Sequence, residues 1–375
     1  MKIPDFELER FFARWEFAAP HILCASDVEG WAMRDVLALA DDETRAMWEG
    51  LTLGYTEAPG HPRLRAEIAR QYQGVAADDV LVFCGAEEAV FACMNVLLGP
   101  GSHAVATWPA YQSLHQVALS AGAEVDLLEL RHDDGWRLDP EELRRRMRPG
   151  TEMVVANFPH NPTGALPDRE TFGEVVRIAE DAGAWLFSDE VYRGLERDPA
   201  HRLPAAVEVS ERGISLGVMS KAYAMAGLRI GWIACRDRAL LARLAAFKDY
   251  LTICASAPAE VLSLIALRSA ERVLARSRGI AAPNLALLDA FFQRWRDVME
   301  WVPPRAGSTA FPRIIANVPV NVVAEELRER KGVLILPGTL FGHDGNHFRL
   351  GFGRVGMPHA LALFDEYLGE RFGPR

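Results

Sequence analysis

The chain reads as an α/β protein: a large unit with a mostly parallel sheet between helices, then a smaller α+β unit. Three observations lead there. Short, uninterrupted apolar runs alternate with helical stretches from about residue 79 to residue 235, as expected for strands covered on both faces. Beyond residue 237 the apolar runs give way to long helical patterns. A last stretch mixes short strands with one closing helix.

In chain order, the first segment predicts a short amphipathic helix. Asp5 is placed to cap it, and Leu8, Phe11, Phe12 and Trp15 recur on one face, which makes it a packing helix. Strands are expected at 80–84, 103–108, 124–130, 153–158, 184–190, 214–219 and 229–235, with helices at 86–98, 111–121 and 168–182. The helical region to about Trp295 is expected to break near Ala257–Pro258 and Ala282–Pro283, because proline lacks the amide that an interior helical position needs. Strands near 309–315, 333–336 and 347–352 and a helix at 357–371 complete the reading. The expected division is 1–45 as an N-terminal helix and active-site segment, 46–270 as the large unit and 271–375 as the small one.

Composition narrows the class. The 375 residues are 50% hydrophobic and 25% charged, which are globular proportions. With 41 basic and 51 acidic residues the net charge is −10, which disfavours nucleic acid or an anionic membrane as partner. No apolar run is long enough to span a bilayer, and the five cysteines show no metal or disulfide spacing, so the expected location is cytoplasmic. Only four of the basic residues are lysines: Lys2, Lys221, Lys248 and Lys331. Arginine does not become a neutral amine, whereas lysine does. Any catalytic amine comes from those four.

Four polar groups fall at the carboxyl ends of predicted strands, where open parallel sheets bind ligands. Gly85, with Ala86 and Glu87, opens a helix whose first amides suit a phosphate, or else marks an ordinary tight turn. Asn161, in Asn157-Phe-Pro-His-Asn-Pro-Thr-Gly164, sits in a loop stiffened by prolines. Asp189 closes an apolar strand ahead of Tyr192. It is either a surface acid or a buried one that needs a cation. Ser220-Lys221 follows another apolar strand, and small apolar neighbours lower the pKa of a lysine enough for Schiff-base chemistry. Lys331 lies in a charged stretch, and Lys248 beside Asp249 reads as a helix-surface cation or as a residue lining a site. A lysine, an acid, donors and an anion cradle together are what a pyridoxal phosphate site requires.

The stretches Asn161-Pro-Thr-Gly164, Ser188-Asp-Glu-Val-Tyr192 and Ser220-Lys-Ala-Tyr-Ala-Met-Ala-Gly-Leu-Arg229-Ile-Gly-Trp232 resemble, in order and spacing, the class I/II pyridoxal-phosphate aminotransferases of fold type I. The resemblance runs from about residue 50 to the end. It implies conversion of an α-amino acid to a 2-oxo acid, with pyridoxal 5'-phosphate carried as a lysine aldimine on Lys221, which also shuttles the α-proton. It implies Asp189 against the pyridine nitrogen, and Asn161 and Tyr192 on the phenolic oxygen. Tyr111 would stack on the ring, with Trp108 as the alternative. Gly85, Ala86, Glu87, Ser220 and Arg229 would hold the phosphate, and Tyr55 would reach the phosphate of a partner subunit, so a homodimer is implied. Arg349, in His347-Phe-Arg-Leu-Gly-Phe352, would clamp the substrate carboxylate through its planar fork.

Two residues depart from the family pattern. Val218 stands where a hydroxyl residue is common, and Glu87 would repel a phosphate unless it points away. A narrower resemblance, in Lys248-Asp-Tyr-Leu-Thr252, Ser308-Thr-Ala-Phe-Pro-Arg313 and Gly332-Val-Leu-Ile-Leu-Pro-Gly338, is to the subgroup that includes capreomycidine synthase. That leaves cyclisation or a lyase step on a substituted amino acid as the alternative activity. Glu29, in Ser26-Asp-Val-Glu29-Gly, would then read a cationic side chain, or else is a surface acid. The fold also serves in some transcription regulators, but the roughly 50 residues before Tyr55 carry no basic helix-turn-helix pattern.

Overall fold

The computed structural model describes residues 2–373. In chain order the elements that position the site begin with α1 (Glu7–Trp15), β1 (Val80–Phe83), α2 (Ala86–Leu97), β2 (His103–Trp108), α3 (Ser113–Ala121) and β3 (Glu124–Glu129). Then come β4 (Thr151–Asn157), α4 (Arg169–Asp181), β5 (Trp185–Asp189), β6 (Gly213–Val218) and β7 (Gly231–Ala234). Helices α5 (Arg238–Lys248), α6 (Ala257–Arg268) and α7 (Ala270–Arg294) follow. Three short strands, β8 (Thr309–Ala310), β9 (Leu336–Pro337) and β10 (Phe348–Gly351), and helix α8 (Met357–Phe372) lie beyond them.

Seven strands form one sheet in the order β1-β7-β6-β5-β4-β2-β3. The pairs among β6, β5, β4, β2 and β3 are parallel, and β7 runs antiparallel to both neighbours. Within β4, Met153 and Val155 enter one apolar cluster while Val154 and Ala156 enter another. That is the period-two alternation of a strand buried on both faces, and each buried valine or methionine among them contributes about 1.5–3 kcal/mol. Edge strand β3 is the exception, with most residues exposed or half-buried. A third cluster draws on Leu23, α7, β10 and α8. There β10 runs between β8 and β9, antiparallel to both.

The chain passes from β2 outward to β3 and returns to β4 on the other side of β2. The sheet order therefore switches between β2 and β4, and their carboxyl ends open a crevice there. Asn157 and Asp189 lie side by side in the β4–β5 register.

Three local expectations fail. Asp5 does not cap α1; Gln112 does, its side-chain oxygen accepting from Glu7 N at 3.0 Å while its amide donates to the Asp5 carbonyl at 2.9 Å. Pro283 does not break α7, which runs through it, and the next residue, Asn284, donates to the carbonyls of Phe352 and Arg354. Tertiary packing overrides the local penalty there. Lys248 is not a surface cation: it is 1% exposed and donates to the Ala58 carbonyl.

Strand β7 passes directly beneath the β1–α2 turn. A Cβ at Gly231 would lie 2.7 Å from the Gly85 carbonyl carbon and 2.8 Å from Ala86 N. Because those atoms are backbone, they have no rotamer to change. Gly231→Ala is expected to cost about 1–3 kcal/mol of stability, measurable as a fall in the urea midpoint. An unchanged midpoint would show that the turn yields.

Candidate active site

A cavity of about 530 Å³ opens at the carboxyl ends of β1, β2, β4, β5 and β6. Ala86, Glu87, Tyr111, Asn161, Asp189, Tyr192, Ser220, Lys221 and Arg229 all line it. Each ends or follows a strand, so the sheet gathers residues separated by up to 143 positions in the chain.

At one end is the start of α2. Its N-cap, Gly85, has φ +97 and no capping side chain, which leaves first-turn amides without helical partners. A Cβ there would lie 2.6 Å from an Arg229 guanidinium nitrogen, so only glycine lets the arginine close over the turn. Arg229 itself has φ +53, a strained region for a side-chain-bearing residue. Its Nη1 donates to the Ala226 carbonyl at 3.0 Å and the Ser220 hydroxyl at 3.4 Å. Bare amides, a guanidinium and a hydroxyl around a gap that a Cβ would fill form an anion cradle.

Glu87 does not point away from this cradle. It lines the cavity and accepts from the Ser113 hydroxyl at 2.9 Å. Enclosure by protein pushes its pKa up to about 7, with the Ser113 bond opposing. A carboxyl that binds its proton near neutrality repels an anion less than an ordinary glutamate does. Val218 also lines the cavity, offering only an apolar surface.

Asp189 is buried at the end of β5, and its carboxylate accepts from Val191 N at 3.2 Å. Burial pushes its pKa up to about 7, while the Val191 bond and the Lys221 charge pull it down. Asn157 braces the same spot, donating to the Asp189 carbonyl at 3.1 Å and accepting from Asn161 N at 2.8 Å. This fixes the Asn161 loop against the acid. The adjacent Glu190 faces elsewhere and accepts from Ala206 N and the Ser215 hydroxyl. Tyr192 is 1% exposed, and its hydroxyl has no hydrogen-bond partner among the described residues.

Lys221 is half-buried and donates to the Ser26 hydroxyl at 2.8 Å. Desolvation lowers its pKa and nearby Arg349 lowers it further, against Asp27, Glu9 and Asp189. Arg349, 1% exposed, sits behind the cavity wall. Nε and Nη2 donate to the Cys24 carbonyl at 3.1 and 3.0 Å, and Nη1 reaches Asn161 Oδ1 at 3.3 Å. Trp108 stacks on His343 and does not line the cavity, whereas Tyr111 does, donating to Glu9 Oε1 at 2.8 Å.

Two expected site residues lie elsewhere. Glu29 is not in the cavity wall, and its carboxylate accepts from Val355 N at 3.2 Å. Its place is taken by Ser26 and Asp27, because residues 23–29 press edge-on against β10. A Cβ at Gly351 would lie 1.9 Å from the Ala25 carbonyl oxygen, and one at Gly353 2.5 Å from that of Asp27. Tyr55 is 91% exposed and outside the cavity. Helix α1 is more than a packing helix, since Phe6, Glu9, Phe12 and Glu16 on and beside it line the cavity. Only a tertiary contact reveals this.

These features fit pyridoxal phosphate. The cradle suits its phosphate, the unpartnered Tyr192 hydroxyl suits an oxygen, and the buried Asp189 suits a cationic ring nitrogen. Asp189 also carries a testable pH signature in the cofactor-free protein. Its pKa in the fold, about 7, lies above the ordinary ~3.9. The folded state therefore holds the proton more tightly, and stability from this group falls as pH rises through that window. Asp189→Asn removes the dependence. Urea unfolding should show the variant gaining on wild type by about 2–3 kcal/mol between pH 5 and pH 8. A difference that does not change with pH would contradict the shift.

Residues 23–361 match the family described as aminotransferase class I and II. The chain is 32% identical to capreomycidine synthase of Streptomyces vinaceus, over 98% of this chain and 94% of that protein. The crystal structure of a PLP-dependent aminotransferase from Streptococcus suis superposes with a TM-score of 0.93 at 32% identity, covering 100% of both chains. That of the PLP-dependent cyclase OrfR gives 0.90 at 28% identity, covering 99% of this chain and 98% of the other. With fold and family in agreement, this chain belongs to the class I and II aminotransferases, the pyridoxal-phosphate-dependent enzymes of fold type I.

Proposed function

We propose that the protein transaminates an α-amino acid, with Lys221 as the group that moves the α-proton. The observation that carries the reading is the Lys221 amine, its pKa lowered by burial, in the same cavity as the buried Asp189 carboxylate. The bound cofactor supplies an electron sink for the α-carbon.

The chain's own residues do the rest. Asp189, short of donors, would keep a proton on the ring nitrogen by pairing with the cation that results. Asn161 and Tyr192 would donate to the ring oxygen, and Tyr111 would hold the ring from the cavity wall. The α2 amides, Ser220 and Arg229 bind the phosphate. Arg349 Nη1, spent on a long 3.3 Å contact with Asn161, is the donor available to a substrate carboxylate. The lowered Lys221 pKa raises the fraction of neutral amine able to take a proton from the α-carbon. Ser26, the acceptor for that amine, holds it in position until substrate arrives.

Exposed Tyr55 belongs to a segment fastened from within. Lys248 binds the Ala58 carbonyl, and Glu260 accepts from Thr56 Oγ1 at 2.6 Å and His61 N at 2.9 Å. A tyrosine presented outward on an anchored loop suits contact with a second subunit, so we assign a homodimer, placed in the cytoplasm. No helix among the described residues is long and apolar enough to cross a membrane.

The competing reading, cyclisation or elimination at the β-carbon, draws on the likeness to capreomycidine synthase and the cyclase OrfR. Acceptor dependence separates the two, since transamination is two half-reactions. With an amino-acid substrate alone, we expect about one equivalent of 2-oxo acid per site and then arrest, relieved by adding a 2-oxo acid. Sustained turnover without any acceptor would replace transamination with cyclisation or elimination.

A further inference from the structure

Glu87 has no place among the binding roles above, although it stands at the anion cradle. It is the second residue of α2 and lines the cavity with Ala86, Ser220 and Arg229. The next residue, Glu88, is committed through both oxygens, which accept from Cys84 N and the Thr252 hydroxyl. Glu87 is committed through one, Oε2, which accepts from the Ser113 hydroxyl at 2.9 Å. Arg229, the cation of the cradle, donates to Ala226 and Ser220 rather than to Glu87. The other charges near it are acidic: Glu9 from α1 and Asp189 from the end of β5, with the Tyr111 phenol beside them. An ionised Glu87 would set a carboxylate against a phosphate of charge about −2. A neutral acid does the opposite. With Oε2 accepting from Ser113, its proton sits on Oε1 and is available to a ligand oxygen.

We propose that Glu87 holds the cofactor's phosphate as a neutral carboxylic acid, donating through Oε1, so that cofactor binding is linked to a proton. This rests on the cradle as the phosphate site and not on which reaction follows. Enclosure brings the Glu87 pKa up to about 7 in the cofactor-free protein, with the Ser113 bond opposing the rise and Glu9 adding to it. A bound phosphate raises it further, because a like charge disfavours the ionised form. The bound state therefore holds the proton more tightly than the free protein does. Affinity is full below about pH 7 and falls as pH rises beyond it.

The test measures the dissociation constant of pyridoxamine 5'-phosphate, which makes no covalent bond to Lys221, by equilibrium dialysis of the cofactor-free full chain from pH 6 to pH 9. Over that range wild type should weaken about fivefold or more beyond Glu87→Gln, whose amide keeps a donor without a charge. The phosphate, the pyridine ring and Asp189 titrate in both proteins and cancel in the comparison. Pyridoxamine, which lacks the phosphate, should show no such difference. Ser113→Ala removes the bond that favours the ionised form, so its affinity should begin to fall at a higher pH than that of wild type. That shift is the readout should Glu87→Gln fail to fold. Parallel pH curves for wild type and Glu87→Gln, a difference that persists with pyridoxamine, or an unmoved Ser113→Ala curve would overturn the inference alone. No binding of pyridoxamine 5'-phosphate at any pH would overturn the cradle as the phosphate site and this inference with it.

Discussion

One buried carboxylate organises the site. Asp189 ends a strand whose residues are all buried, with one backbone amide and the field of Lys221 set against the cost of desolvation. Such a group is an incomplete ion pair, and the fold is arranged so that a ligand completes it. The parallel strands on either side make the arrangement possible. Asn157 on β4 lies beside Asp189 in register and ties both the acid's backbone and the Asn161 loop. Strand β6, on the other flank, delivers Ser220 and Lys221 to the same end. The acid, the amide and the amine are three consecutive strand ends of one sheet.

The second constraint is close approach through glycine. Gly85 and Gly231 let Arg229 and β7 crowd the start of α2, and Gly351 and Gly353 let residues 23–29 lie directly on β10. That contact carries Ser26 and Asp27 into the cavity and gives Arg349 the Cys24 carbonyl as its anchor. The N-terminal segment is therefore part of the site, bound to it through Lys221–Ser26 and Tyr111–Glu9. Both contacts occupy groups that the proposed chemistry needs, so substrate entry has to displace or rearrange them.

Residues whose meaning is local were legible in the sequence. Apolar runs located the strands to within one or two residues. Lys221, Asp189, Asn161, Tyr192 and Arg229 stood out because each follows such a run in a short, ordered pattern. What failed depends on contacts between distant segments. The cavity acids Glu9 and Glu16 lie on a helix whose apolar spacing says only that it packs, and which surface it packs on is a tertiary fact. Asp27 rather than Glu29 faces the cavity because glycines more than 320 residues away set the register of that segment. Lys248 looked exposed beside Asp249, yet the Ala58 carbonyl that binds it is 190 residues upstream. The α7 proline is absorbed by a long helix whose neighbour Asn284 is locked onto the segment after β10.

The central claim is that Asp189 lets the bound cofactor take up the electron pair left on the α-carbon when Lys221 removes its proton. Exchange of the substrate α-hydrogen with deuterated solvent reports that step without requiring a completed reaction. Asp189→Asn, shown by absorption to retain cofactor through the α2 cradle and Tyr111, should exchange at least a hundredfold more slowly than wild type. Exchange within a few-fold of wild type, with cofactor bound, would contradict the account.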